Sequence, residues 1–437
     1  MEKALSMGGR VDVKSVGMTK KRRGILAAVW LVFSGSGFAA KEMKEIKCPL
    51  DGLLVFPAVW EITPEQLEKN FAGEGGKAMK WLTTEKNRAK FSRHLYANLE
   101  IDLTLVEGQV PIEEAVVDFA DGKVNVITFS IYNRGDGGTI QKEEFERRFK
   151  AVGGAVSKGL QVKPAVSKAD RQQGLLSEGY RWASTTGIAL LEHNEGALAE
   201  EPKEFLRLRV SKKGAPGGLA ASMLATRGGA AVKLSELPAN VKKEADGSVI
   251  VGGLPMVDQG NKGYCVCASV QRLFEYYGLG ADMHQIAAIS GADPEKGTNT
   301  VAMAEELDKI DYRFKTRLKI IGMLAQSGGL VQVEKDKGRL LVGKPLDEAA
   351  FVKAIRNHVD DGLPLLWSLE LGQFKETPNL NPQAAGGHMR IISGYNDTDK
   401  TVVFTDSWGA GHERKTMTMS DAYQATRGLF VLQPTVR

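Results

Sequence analysis

The chain has 437 residues, 43% hydrophobic and 25% charged, which is long enough for two folded domains and typical of a water-soluble protein. Its formal net charge of +5 arises entirely within the first 39 residues, because the remainder carries 51 basic and 51 acidic side chains. A neutral remainder lacks the positive surface that nucleic-acid binding requires, so this class of partner is excluded.

The N-terminus has the pattern of an export signal. Basic residues 20–23 precede an apolar run over residues 24–33, which is too short to span a bilayer. Small residues follow as far as Ala39, where a signal peptidase can cut. We predict a signal peptide over residues 1–39, with Met18 as an alternative start, and export to the periplasm or the extracellular space. The alternative is an N-terminal membrane anchor that is not cleaved. No later segment of the sequence reaches transmembrane length.

Residues 41–210 are predicted to form a small α+β domain of unknown role. Residues 115–119 and 124–130 alternate between apolar and polar positions around an Asp-Gly pair, which predicts a β-hairpin with a tight turn. A helix is expected over residues 143–152 and a strand over residues 205–210. No catalytic set of side chains is evident in this domain.

Two shorter segments complete this part of the chain. Residues 134–136 spell Arg-Gly-Asp, which we expect to be a surface turn, since Gly and Asp favour turns. Residues 211–233 are rich in Gly, Lys and small side chains and are predicted to be a linker. A second domain is predicted over residues 234–437.

The second domain is predicted to place its helices first and its strands second, which indicates α+β packing with a cleft between the two parts. Helices are expected from Cys265, and over residues 282–289, 300–310 and 346–359. Strands are expected over residues 363–371, 389–395, 401–405 and 428–432.

Cys265 is the candidate nucleophile. It opens an apolar helix, where the free backbone N–H groups and the helix dipole favour an anion and lower the pKa of a thiol. Cys267 is a rival, but it lies inside the helix. The third cysteine is Cys48. An odd number of cysteines in an exported chain indicates at least one free thiol, and the other two, Cys48 and Cys267, could form a disulfide that the sequence does not establish.

His388 and Asp406 are the candidate base and orienting acid. His388 begins one predicted strand and Asp406 ends the next, with a short turn over residues 396–400 between them. An antiparallel pair joined by this turn brings its distal ends together, so the two side chains are expected to lie side by side. Asp406 would then orient the His388 ring, and Trp408 is placed to keep water from their hydrogen bond.

The rival histidines fit this role less well. His284 and His358 fall within predicted helices, without an acid placed like Asp406, and His412 follows Asp406 too closely to be a hairpin partner. No His or Cys cluster has the spacing of zinc ligands, so neither a metal nor another cofactor is expected.

Three motifs in order carry a family resemblance. Gln259 lies six residues before Cys265, and residues 406–409 read Asp-Ser-Trp-Gly where papain-like cysteine peptidases have Asn-Ser-Trp-Gly. The Cys265 helix, ending in Tyr-Tyr-Gly, and the His388 strand, running into Gly-Tyr, look most like the bacteriocin-processing (double-glycine leader) peptidase family. The resemblance covers residues 250–437 and implies a papain-like fold, a helical part packed on an antiparallel β part.

The same resemblance implies the role of each matching residue. Cys265 would attack the scissile carbonyl, His388 would accept and return the proton, and Asp406 would hold His388. The Gln259 amide, together with the Cys265 backbone N–H, would stabilise the oxyanion. Two departures are the Gly-Tyr pair before the nucleophile and Val266 after it, where the bacteriocin-processing family favours Gly.

We therefore predict an exported cysteine endopeptidase that acts on a peptide or protein through a thioester intermediate. It should have no membrane span once the signal is removed, and the sequence does not give its oligomeric state. Two alternatives stay open: a secreted binding module on an inactive peptidase fold, whose thiol would not react with iodoacetamide, and acyl transfer of the transglutaminase type on the same residues.

Overall fold

The computed structural model describes residues 45–436 apart from residues 97, 169–176, 200–201, 216–231, 261–262, 291–303, 306–307, 309–310, 326–327, 337–338 and 381–385. The predicted signal peptide, most of the predicted linker and most of the helix predicted over residues 300–310 lie outside this part. The described residues belong to one compact unit. None of the helices within them is long and apolar enough to cross a membrane.

The N-terminal half (residues 45–215) is built from two sheets and the helices that cover them. Its helices are α1 (Pro64–Phe71), α2 (Arg134–Gly137) and α3 (Lys142–Leu160). Its strands are β1 (Glu45–Pro49), β2 (Met79–Trp81), β3 (Arg88–Ser92), β4 (Glu100–Leu105), β5 (Val110–Pro111), β6 (Glu114–Ala120), β7 (Lys123–Asn133), β8 (Ala165–Ser167), β9 (Ser177–Ala183), β10 (Gly187–Asn194) and β11 (Phe205–Lys212). The small sheet has the order β1-β4-β5, and the large antiparallel sheet has the order β2-β3-β6-β7-β11-β10-β9-β8.

The elements predicted for this half are present. β6 and β7 form the expected hairpin, and Asp121 and Gly122 at its tip have φ angles of 50° and 70°, as a tight turn with left-handed residues requires. The helix predicted over residues 143–152 is α3, which buries an apolar stripe at helical spacing: Phe145, Phe149, Val152, Val156 and Leu160. The Arg-Gly-Asp segment forms the single helical turn α2, capped by the side chain of Asn133.

The C-terminal half (residues 232–436) contains one large sheet with helices packed on it. Its helices are α4 (Cys265–Tyr276), α5 (Met283–Ser290), α6 (Glu348–Asp360) and α7 (Met419–Ala425). Its strands are β12 (Val241–Lys243), β13 (Ser248–Val251), β14 (Thr316–Leu324), β15 (Leu330–Asp336), β16 (Arg339–Pro345), β17 (Leu365–Leu371), β18 (Gly386–Asn396), β19 (Thr401–Thr405), β20 (Lys415–Thr418) and β21 (Thr426–Pro434).

The sheet follows the order β12-β13-β18-β17-β21-β14-β15-β16, and β19 pairs with both β18 and β20. Four predicted strands correspond to β17, β18, β19 and β21. The expectation that helices come first and strands second holds only in part, because β12 and β13 precede α4 and the meander β14-β15-β16 lies between α5 and α6. The meander was not among the predicted strands, although Arg317 and Lys319 alternate with apolar residues in β14 as in a half-buried strand.

Each half has its own apolar core, and charged side chains join the two. One core runs from Ile46 to Val210 and the other from Leu237 to Leu432. Arg88 on β3 pairs with Glu275 on α4 at 2.8 Å. This contact is largely buried, so it is screened by salt much less than an exposed ion pair.

Candidate active site

Cys265 is the first residue of α4, and no side chain caps this end of the helix. The sulfur therefore lies among first-turn N–H groups that have no partner within the helix. Cys265 is partly exposed, whereas Cys267, two residues further, is fully buried in the core. Of the two cysteines on this helix, Cys265 is therefore the more accessible to a substrate.

The β18–β19 hairpin places His388 beside Asp406, as the sequence predicts. Ile391 pairs with Thr405 across the hairpin, so the strand start that carries His388 faces the strand end that carries Asp406. Nε2 of His388 lies 3.1 Å from Oδ1 of Asp406. His388 is 6% exposed and Asp406 is fully buried, which protects this hydrogen bond from water.

Cys265 and His388 are linked by a hydrogen bond that changes the pKa values of both. Burial alone would raise the pKa of the Cys265 thiol, but the hydrogen bond to His388 and the N–H groups of Met389 and Val266 lower it below its ordinary value. Burial would likewise lower the pKa of His388, but the hydrogen bonds to Asp406 and Cys265 raise it. Since Nε2 faces Asp406, Nδ1 is the ring nitrogen left for the thiol. These directions favour a thiolate beside an imidazolium.

Gln259 lies on a segment that pairs with the residues following Asp406. The Gln259 N–H donates to the carbonyl of Ser407 at 2.9 Å, and Asp258 forms an antiparallel bridge with Trp408. The Gln259 side chain is 7% exposed. The Gln-containing segment and the Asp-Ser-Trp-Gly segment, which are separate motifs in the sequence, are thus neighbours in the fold.

Trp408 covers the His388 ring. The two ring centroids are 4.4 Å apart and the ring planes differ by 13°, which is a stacked arrangement. Trp408 also contacts His412 edge to face, with centroids 5.4 Å apart. The stacked indole limits rotation of the imidazole and shields it from solvent.

Asp406 also contacts two buried cations that were not predicted from the sequence. Arg390 Nε donates to Asp406 Oδ1 at 2.7 Å, and Lys415 Nζ donates to Oδ2 at 3.0 Å. Both cations also pair with Glu376, so two acids and two bases form a closed charge cluster beside His388. Arg390 had a signal in the sequence, because it lies two residues after His388 and so on the same face of β18.

The pKa of Asp406 reflects this environment. Burial works to raise it, but the hydrogen bonds of His388 and His412 and the charge of Arg390 hold it well below its ordinary value. Asp406 is therefore an anion throughout the range in which His388 titrates. A carboxylate that stays charged can orient the ring and stabilise its protonated form.

Arg272 joins α4 to this strand end. Its guanidinium donates to the carbonyl of Pro255 at 2.7 Å, the carbonyl of Asp406 at 2.9 Å and the hydroxyl of Thr405 at 2.7 Å. Arg272 is 1% exposed. One side chain thus connects the helix of Cys265 to the segment before Gln259 and to the strand that precedes Asp406.

The rival histidines occupy other places. His358 on α6 bonds the carbonyl of Ala354 within its own helix, and His284 on α5 lies 3.5 Å from Glu114 of the N-terminal half. His412 is nearer the site than the sequence suggests, with Nδ1 3.9 Å from Asp406 Oδ2. Within the described ranges, no group of His, Cys, Asp and Glu side chains is placed to hold a metal ion.

The open question of a Cys48–Cys267 bridge is answered by the fold. All three cysteines are free, and Cys48 and Cys267 lie in different cores. The Cys48 thiol donates to the carbonyl of Phe71, and burial together with the charge of Asp102 raises its pKa to about 12. Cys48 is therefore a structural residue with little thiolate character.

Helices packed on an antiparallel sheet give the C-terminal half an α+β fold. Residues 252–430 match the model of the Peptidase_C39 like family, which indicates a cysteine-type peptidase domain in the C-terminal half. Among solved structures, the chain is similar to xylellain, a cysteine protease from Xylella fastidiosa, at 15% identity and a TM-score of 0.27. That match covers 46% of this chain and 89% of xylellain. No curated protein matches the sequence.

Proposed function

We propose that the protein is an endopeptidase in which Cys265 is the nucleophile, His388 the general base and acid, Asp406 the orienting acid and Gln259 an oxyanion donor. The observation that carries this proposal is the hydrogen-bonded chain from Cys265 through His388 to Asp406. Each member changes the pKa of the next in the direction that the reaction needs.

In the first half of the reaction, the Cys265 sulfur attacks the carbonyl carbon of a peptide bond and the carbonyl oxygen becomes an anion. The Cys265 backbone N–H and the Gln259 amide donate to that oxygen. The C–N bond then breaks, and the departing amine takes the proton held by His388. In the second half, His388 removes a proton from water, which attacks the thioester and releases the acid and the thiolate.

The proposal is tested by comparing alkylation with turnover across pH. Iodoacetamide should label Cys265 and leave Cys48 and Cys267 unmodified, as peptide mapping by mass spectrometry would report. Labelling should remain fast below the ordinary pKa of a thiol and fall only in acid, because the thiolate is then protonated. Cleavage of a fluorescence-quenched peptide library should fall at both ends, since above the pKa of His388 the leaving amine has no proton donor.

Two results would contradict the proposal. One is a Cys265 thiol that reacts no faster at neutral pH than a free thiol of ordinary pKa. The other is a turnover rate that rises steadily towards alkaline pH and does not fall again above the pKa of His388. Added amines such as cadaverine should be incorporated far more slowly than water, and efficient incorporation would indicate acyl transfer instead.

We also propose that the protein is exported and that residues 1–39 are removed. The basic stretch at residues 20–23, the apolar run and the small residues before Ala40 support this. N-terminal sequencing of the protein recovered outside the cytoplasm should begin at Ala40 or Lys41. Recovery of the intact N-terminus from the membrane fraction would favour the uncleaved anchor.

A further inference from the structure

The N-terminal half contacts the two short segments that carry Gln259 and Cys265. We propose that it is a positioning element of the active site, in which Lys80 and Lys90 hold the residue before Gln259 and α2 supports the residue before Cys265. This inference rests on the proposed function. It assigns the N-terminal half the task of forming the oxyanion site, in place of inhibition or substrate delivery.

Lys90 on β3 reaches across to the main chain next to Gln259. Its Nζ donates to the carbonyl oxygen of Asp258 at 3.0 Å and lies 3.0 Å from Glu114 Oε2. Lys90 is 4% exposed, so this contact is formed away from water. The carbonyl it binds belongs to the peptide group shared by Asp258 and Gln259, and a bond to that oxygen fixes the plane of the Gln259 N–H.

The Asp258 side chain is held from the same side. Lys80 on β2 forms an ion pair with its carboxylate, and Lys90 lies 3.9 Å from the same oxygen. The other carboxylate oxygen accepts from the Gly260 N–H at 3.1 Å. Asp258 therefore fixes the backbone on both sides of Gln259, and its own position depends on two lysines of the N-terminal half.

The start of α4 rests on α2. A Cβ atom added to Gly135 would lie 2.2 Å from the hydroxyl oxygen of Tyr264, the residue before Cys265. Tyr264 is 3% exposed, so its side chain is packed inside the protein. Any side chain at position 135 would therefore collide with the Tyr264 hydroxyl, and the tyrosine next to Cys265 would have to shift.

The contact between the halves is not that of a removable inhibitor. Arg88 pairs with Glu275, and Arg207 pairs with Asp282 at 2.6 Å, with both arginines well buried. Separating the halves would expose these ion pairs and take the arginine partners from Glu275 and Asp282, while Arg88 and Arg207 would keep Asp118 and Glu192 within the N-terminal half. Loss of the N-terminal half is thus expected to inactivate the peptidase and not to release it.

The test uses two small probes that react with the same sulfur. Iodoacetamide forms an S–C bond and releases iodide, and no oxyanion develops. p-Nitrophenyl acetate is attacked at its carbonyl carbon, passes through an oxyanion and releases p-nitrophenolate, leaving an acetyl thioester. Only the second reaction depends on the oxyanion donors, so the ratio of the two rates reports how well Gln259 and the Cys265 N–H are placed, independently of the Cys265 thiolate.

The main variant is the pair Lys90→Met and Asp258→Asn, which removes both charges of the buried contact. Glu114 loses Lys90 but keeps His284 at 3.5 Å, and Lys80, which loses Asp258, is one-third exposed. We expect the acylation rate of this double variant to fall about 10²-fold, as for loss of one oxyanion donor, and its alkylation rate to change by less than about two-fold. Gly135→Ala is expected to lower acylation as well. Lys86→Met is the matched control, because Lys86 pairs with Glu68 inside the N-terminal half and should leave both rates unchanged.

Acylation that matches the Lys86→Met control would overturn the inference. A parallel fall of both rates would also overturn it, because the effect would then lie in the thiolate or in the fold. If the double variant does not fold, Lys80→Met decides by the same ratio, since Lys80 is one-third exposed and its loss is milder. A wild-type protein whose Cys265 reacts with neither probe would contradict the proposed function itself.

Discussion

Cys265→Ala is expected to lose peptidase turnover by about 10⁶-fold, the loss typical of removing the nucleophile from a catalytic triad. The alanine keeps the start of α4 and the surrounding packing, because Cys265 is only partly buried and makes no cap to the helix. The melting temperature should therefore change by no more than a few degrees. Steady-state cleavage of the best peptide from the quenched library, with thermal unfolding followed by circular dichroism, checks both points.

Cys267→Ala is the matched control for this experiment. Cys267 is fully buried two residues further along the same helix, so its truncation should cost about 1 kcal/mol of stability and leave turnover intact. Full activity in Cys265→Ala, together with loss in Cys267→Ala, would move the nucleophile to the buried position and end the present assignment.

Asp406→Asn is expected to lower turnover by about 10³- to 10⁴-fold, because the amide no longer stabilises the His388 imidazolium. It should also reduce the free energy of unfolding by about 3–5 kcal/mol, since Arg390 and Lys415 are left with Glu376 as their acidic partner. The alkaline limb of the pH–rate profile should move to lower pH, because the pKa of His388 falls once the neighbouring charge is gone.

The stability effect of Asp406 has a defined pH dependence. Its pKa is lower in the folded chain than the value of about 4 in the unfolded chain, so its contribution is fully present above that value and is lost as the pH falls towards the folded pKa. Urea unfolding at pH 7 and in acid should show the wild type and Asp406→Asn converging at low pH. Asp399→Asn, in the exposed turn of the same hairpin, is the control and should match the wild type at both.

The sequence predicted the β18–β19 part of the site well because that part is local. His388 and Asp406 are joined by a short turn, and the alternation of a strand determines which ends meet. The spacing of apolar residues likewise predicted that α4 begins at Cys265. These predictions needed only the period of each element and the length of one connection.

The remaining partners of Asp406 could not be predicted from the sequence, or only weakly. Lys415 reaches it because β20 pairs with β19 and places Lys415 opposite Phe404, a register that the sequence does not reveal. Glu376 comes from a loop outside any strand. The bond between Lys90 and Asp258 joins residues 168 positions apart, and only the packing of the two halves brings them together.

Arg272 has a consequence for how the enzyme receives its substrate. Three donors on one rigid guanidinium connect the backbone before Gln259, the helix of Cys265 and the residue pair Thr405 and Asp406. The relative positions of these groups are therefore set when the protein folds, and they do not have to be established when a peptide binds. Because the site is preformed, the substrate has to adapt to it. Rigid or folded substrates should therefore be cleaved more slowly than flexible, extended peptides.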